Sequence, residues 1–180
     1  MSPGLLPYLH EPASVAIVGA SDDSDKIGGR PIAFMQRFGY SGRILPVNPT
    51  RETVQGLPAF RDVDSLPEVP DVAVIAVPGD AAIAAVEACA SRGVKGAVVM
   101  ASGFGETGLP DDIARQARLV DIAHAGGMRL VGPNSQGLAN FATGTILSFS
   151  TMFIEEEPLD GPIGIVSQSG AMCSVPYGLL

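Results

Sequence analysis

The sequence is short of cysteine, of positive charge and of long apolar runs. Its two cysteines, Cys89 and Cys173, form no Cys-x-x-Cys pair and have no histidine nearby. That argues against a disulfide framework and against a zinc site, and both read as small thiols in a reducing compartment. Lys and Arg number 11 against 19 Asp and Glu, for a net charge of −8. An acidic surface repels a phosphate backbone, so general nucleic-acid binding is not expected. No stretch reaches the ~20 continuous apolar residues of a membrane helix. Met1 to Ala13 lacks a basic start followed by an apolar run, so no signal peptide is expected and the reading is cytoplasmic. There is no internal repeat or low-complexity tract.

What is present is a chain of 180 residues, 46% hydrophobic, with 22 Gly and 15 Pro. That is enough for a sizeable core cut by many tight turns, as in α/β proteins. Residues 1–13 carry Pro3, Pro7 and Pro12 and read as an irregular lead-in. Val15 to Val18 is a continuous apolar run, which suits a strand covered on both faces. The polar loop Gly19 to Gly29 follows, and then a helix from about Pro31 to Phe38, closed by Gly39. Arg43–Val47 reads as the second strand. Thr50–Pro70 holds a short strand and one helical turn, and Asp71–Val77 a third strand. Asp80 can cap a helix over 81–92. Lys95–Met100 is a fourth strand, Asp111–Ala125 a helix, and Met128–Val131 a fifth strand. The segment 132–161 has little periodicity. Pro162–Val166 reads as a last strand leading through Ser167–Gly170 into another helix.

Strands alternating with helices imply a Rossmann-like doubly wound parallel sheet. Ligands of such sheets bind beyond the carboxyl ends of the strands, so the informative loops follow Val18, Val47, Val77, Met100 and Val131. The loop Gly19-Ala20-Ser21-Asp22 places backbone N–H groups where an anion can sit. Ser21 stands at the second glycine position of the usual dinucleotide fingerprint, small enough for close approach and able to donate a hydrogen bond. After the second strand, Asn48-Pro49-Thr50-Arg51 has a cation where NAD proteins place an acid. That suits a ribose bearing a phosphate, as in NADP or coenzyme A. Pro78-Gly79 and Ser102-Gly103-Phe104-Gly105 end the third and fourth strands with small residues and leave room for an extended ligand. Gly132–Gly137 offers Asn134 and Ser135 at the end of the fifth strand. Ser167–Gly170 reads as a second strand-to-helix phosphate loop, which a simple dehydrogenase would not need.

In order along the chain, Ser14–Ser21, Gly39–Pro49, Asp71–Pro78, Ser102–Thr107, Gly132–Asn134 with Gly137, and Gly164–Gly170 resemble a known pattern. It is that of the coenzyme-A-binding part of nucleoside-diphosphate-forming acyl-CoA synthetases, the family that includes the succinyl-CoA synthetase α subunit. The resemblance implies that Gly19, Ala20, Ser21 and Asp22 hold the coenzyme's phosphates. It puts Asn48, Pro49, Thr50 and Arg51 at the adenosine end. Val77, Pro78, Met100, Ala101 and Ser102 would line the pantetheine channel, with Asn134 near the thiol. Ser169 and Gly170 would bind the phosphate of a phosphorylated histidine.

The family's reaction is acid + CoA + ATP ⇌ acyl-CoA + ADP + phosphate. The resemblance implies a division into the lead-in 1–13, a coenzyme-A-binding domain over 14–150, and the start of a second, flavodoxin-like ligase domain over 160–180. It places the phosphohistidine and the ATP-grasp part, with its ATP, ADP and Mg, in a partner domain or β-type subunit, and implies an oligomer. His10, in the lead-in, and His124, in a helix expected to pack on the sheet, fall in no matching motif. No catalytic residue and no metal site are therefore expected in this chain. The sequence departs from the family at Ser135, where Cys is common, and at Thr50, where Lys is common with Arg51 next to it here. Two alternatives stay open: a non-catalytic coenzyme A module, regulatory or linked to a protein acyltransferase, and an NADP-dependent oxidoreductase domain.

Overall fold

The computed structural model describes residues 6–157 and 159–177. Five parallel strands form the central sheet: β1 (Ser14–Val18), β2 (Arg43–Val47), β5 (Val72–Ile75), β6 (Gly96–Val99) and β7 (Arg129–Val131). Their spatial order is β2-β1-β5-β6-β7. Two small antiparallel hairpins supply the remaining strands, β3 (Thr53–Val54) with β4 (Leu57–Pro58), and β8 (Gly137–Asn140) with β9 (Thr145–Ser148). The strand order turns back at β1, which lies between β2 and β5. That crevice is where a doubly wound sheet takes its ligand.

The strands read as unbroken apolar runs because helices cover both faces. Ala16 and Val18 of β1 point to one side, packing with α3 (Gly79–Ser91) and α4 (Pro110–Ala125). Val15 and Ile17 point to the other, against Ile32 and Met35 of α2 (Arg30–Arg37) and Leu147 of β9. Each of these fully buried Val and Ile side chains contributes roughly 1.5–3 kcal/mol relative to exposure. Register ties β1 to both neighbours, with Ile17 opposite Pro46 of β2 and Val74 of β5.

Several expectations need correction. Part of the lead-in is helical, α1 (Leu6–His10), and His10 accepts hydrogen bonds from the Asn140 side chain at its carbonyl, 2.9 Å, and ring Nδ1, 3.0 Å. No helical turn occupies 50–70. The chain there makes the β3–β4 hairpin and a turn closed by reciprocal Asp62–Ser65 bonds. Asp80 does not cap α3; Pro78 is the cap residue, and Asp80 faces Arg115 across 3.6 Å. As expected, α4 packs on the sheet, through buried Leu119 and Ala123, and His124 near its end is exposed. The segment 132–157 is ordered as β8, β9 and α5 (Met152–Glu155), and Ile146, Phe34 and Phe153 form their own apolar cluster against α2. Residues 162–166 form no strand. A strand needs a neighbour to complete its ladder, and Val166 is fully exposed with none. The helix expected after Ser169 is present as α6 (Gly170–Tyr177).

Candidate functional site

The loop after β1 is folded tightly on itself. Gly19 has φ +86°, and a side chain there would meet Val77 Cγ1 at 2.6 Å. Gly28 and Gly29 are buried, and a Cβ on either would collide with the carbonyl oxygen of Gly19 or Asp23 respectively. These three positions therefore admit only glycine. The N–H groups of Gly19 and Ala20 both donate to Val47 O at 3.1 Å, and Ser21 N–H donates to Gly28 O. They hold the loop rather than present donors. Among the described residues, the N–H groups of Asp22, Ser24, Ile27 and Gly28 take no acceptor within the chain. The Ser21 oxygen accepts from Asp23 N–H at 3.1 Å, which leaves its hydroxyl proton free to donate. Lys26, exposed in this loop, makes no ion pair among the described residues. The amino end of α2 begins just after Gly29, so its dipole adds partial positive charge.

The loop after β2 is bound to the first. Asn48 Nδ2 donates to Ala20 O at 2.9 Å, and its Oδ1 accepts from Thr50 N–H, Thr50 Oγ1 and Arg51 N–H. Asn48 is thus committed to shaping the site. Arg51, Pro49 and Thr50 are exposed, and Arg51 faces Asp22 Oδ2 at 3.4 Å.

The other loops continue the row. Val77 lies against Gly19, and Met100 N–H donates to Ile75 O. Pro78 and Ser102 are exposed at the strand ends. Asn134, with φ +53°, donates its N–H to Ala101 O at 2.9 Å, and Ser135 N–H reaches Val99 O. Gly103 and Phe104 N–H donate to the Glu106 carboxylate. Burial would raise that carboxyl, but the N–H donors outweigh it and hold it below the usual range. Arg115 donates to Gly103 O at 2.9 Å and pairs with Asp80 and Asp112, so it joins the loops after β5 and β6.

From Arg51 to Asn134, the residues expected from the sequence therefore lie along one edge of the sheet. Ser169 and Gly170 stand at its far end, where a Cβ on Gly170 would meet the Gln136 side chain at 2.5 Å. Among the described residues no group of three or more His, Cys, Asp or Glu could hold a metal ion. A shallow cleft of about 500 Å³ lies at the opposite, amino end of β1 and β2, between Glu11–Ala13, Tyr40–Arg43 and Thr143. It holds none of the anion donors of the loop edge.

Residues 13–140 match the family model of the CoA binding domain. The chain belongs to that family. As a CoA binding domain, it takes coenzyme A as its cofactor. It is 35% identical over 168 residues to the alpha subunit of ADP-forming acetate–CoA ligase II of Pyrococcus furiosus, covering 93% of this chain and 35% of that protein. It is 32% identical over 163 residues to the ADP-forming 4-hydroxybutyrate–CoA ligase of Nitrosopumilus maritimus, covering 91% and 23%. Among solved structures it is similar to acetyl-coenzyme A synthetase 1 of Ca. Korarchaeum cryptofilum in complex with phosphate and ADP. There the TM-score is 0.81 at 34% identity, over 97% of this chain and 36% of that chain. The chain spans between 22% and 36% of the length of the curated relatives it matches. Among the described residues no helix is long and apolar enough to cross a membrane.

Sequence reading passed over Lys26, the free N–H groups of Ile27 and Gly28, and Gln55, whose side-chain amide donates to Ser21 O and Gly29 O. Lys26 could have been found as the one cation in an acidic loop. The others depend on how the loop folds back.

Proposed function

We propose that this CoA binding domain serves an ADP-forming acyl-CoA synthetase, in which it holds coenzyme A while the acyl group is transferred to or from the thiol. The observation that carries the reading is the loop after β1, whose Asp22, Ile27 and Gly28 N–H groups lie unspent beside the start of α2. These donors, the Ser21 hydroxyl and Lys26 would bind the pyrophosphate. Arg51 would leave Asp22 for the 3′-phosphate, whose two charges compete well with one carboxylate. The pantetheine arm would run past Val77, Pro78 and Met100–Ser102 to bring the thiol near Asn134.

Gly170, beside Gln136, continues this row, which suits a phosphoryl group arriving next to the thiol. The exposed Ile163, Val166, Met172 and Val175 fit a segment that begins a further, ligase-type domain over 160–180. An ATP-grasp domain or β-type subunit would then complete the reaction, in an oligomer and in the cytoplasm.

Thermal unfolding with coenzyme A, dephospho-coenzyme A, NAD and NADP tests the reading. Coenzyme A at 100 times its dissociation constant adds ~2.7 kcal/mol, which for this size is roughly 5–10 °C. The expected shift shrinks with dephospho-coenzyme A. A shift with NADP alone would overturn the proposal.

A further inference from the structure

The β3–β4 hairpin ends in Gln55-Gly56, between the pairs Val54–Leu57 and Thr53–Pro58. Both turn residues have positive φ, +49° for Gln55 and +79° for Gly56. A two-residue turn of this hand favours Asn, Asp or Gly at its first position, because they adopt left-handed backbone at least expense. Glutamine has no such advantage. A residue kept in an unfavourable conformation points to some other demand on its side chain.

That demand is visible in its contacts. Gln55 Nε2 donates to Ser21 O at 2.8 Å and to Gly29 O at 2.9 Å, on the two opposite arms of the phosphate loop. Two carbonyl oxygens around one nitrogen also fix which end of the amide faces the loop. The backbone N–H of Gln55 donates to Asp22 Oδ1 at 2.7 Å, and its carbonyl accepts from Gln36 Nε2 of α2 at 3.1 Å. One residue therefore binds both ends of the loop, its central carboxylate and the helix that follows.

We propose that Gln55 is the positioning residue of the phosphate loop, clasping its two arms so that the free N–H groups of Asp22, Ile27 and Gly28 hold one arrangement for the pyrophosphate. It touches no ligand atom itself. The reactive geometry comes through the loop, because donors fixed before binding lose less freedom when the anion arrives. This inference rests on the coenzyme A reading of the site. The same contact explains why Asp22 and Arg51 stay in register, since Asp22 is held by Gln55 from one side and faces Arg51 from the other.

Gln55→Asn separates the clasp from the turn. Asparagine is more comfortable with positive φ but one methylene too short to reach both carbonyls. A residue needed only for the turn predicts an equal or higher Tm and unchanged binding. The clasp predicts an unchanged Tm, amide hydrogen exchange at Ser21 and Gly29 at least tenfold faster in the unliganded chain, and a coenzyme A Kd raised at least tenfold by titration calorimetry. Gln55→Gly, which also suits the turn, should repeat the result. Unchanged exchange with unchanged Kd would overturn the proposal, as would faster exchange with unchanged Kd, or a global loss of protection and Tm in both variants. Failure of the unaltered chain to bind coenzyme A would sink the cofactor reading instead, and the exchange comparison would still decide whether Gln55 fixes the loop.

Discussion

Two stretches of this chain share one local pattern and have different fates. Gly19–Gly29 and Ser167–Gly170 both read as an apolar run, a polar loop with glycine, and a helix. The first is built into the molecule: its strand is buried between β2 and β5, and Val47, Asn48 and Gln55 brace it from outside. The second is held by local bonds, Ser167 Oγ accepting from Ser169 N–H and Ser169 O from Cys173 N–H, and touches the body near Gln136. A phosphate loop needs more than its own sequence. It needs surrounding groups that consume the donors not meant for the ligand and leave the rest in place.

Glycine substitution should break the comparison most sharply. Gly28→Ala drives a methyl into the backbone carbonyl of Gly19, which has no flexible end to move aside. We expect stability to fall by about 2–3 kcal/mol and coenzyme A affinity to fall at least a hundredfold. Gly170→Ala meets only the far end of Gln136 and should change stability by under about 0.5 kcal/mol. Equal effects in urea denaturation would show that the two loops are not differently supported.

Arg51→Gln comes next. It should weaken coenzyme A roughly tenfold, equivalent to about 1.4 kcal/mol, and leave dephospho-coenzyme A unchanged. Equal losses for both ligands in titration would remove Arg51 from the 3′-phosphate.

The body and the tail should also part at alkaline pH. Burial raises Cys89 from 9.0 to about 12, and burial with the nearby Asp71 raises Tyr40 from 10.0 to about 12. Both groups stay protonated in the fold at pH values where the unfolded chain releases their protons. Stability is therefore full below about pH 9 and falls as pH rises toward 12. Melting curves across that window should show the decline, and Cys89→Ala should flatten its lower part. A thiol reagent at pH 8 should label half-buried Cys173 well before Cys89. Simultaneous labelling would contradict the rigid packing of α3.

The smallest effect belongs to the tail surface. Met172→Ser and Val175→Ser replace exposed side chains and should leave Tm within a degree or two.

The sequence makes the five-stranded sheet legible because both its faces are covered, so Val15–Val18, Val72–Ile75 and Gly96–Val99 are apolar without interruption. The same cue misleads at 162–166, where apolar character is present but no strand lies alongside. The β8–β9 hairpin escapes notice because Gly137–Ala139 are only partly covered, Asn140 is a buried polar residue, and its fixed points are contacts with α2 and the lead-in. Within the site, residue types reveal the row of loops but not the use of each group. Asn48 and the amides of Gly19 and Ala20 look like ligand contacts and serve as braces. Gln55 looks like a surface polar residue and reaches both arms of the loop from 26 to 34 positions away.

The most direct test of the central claim is an amide chemical-shift titration of the chain with coenzyme A. The account predicts that Asp22, Ile27 and Gly28 move most, with smaller changes from Arg51 to Asn134 along the same edge. Shifts gathered instead around the Glu11–Ala13 and Tyr40–Arg43 cleft, with the loop amides still, would contradict it.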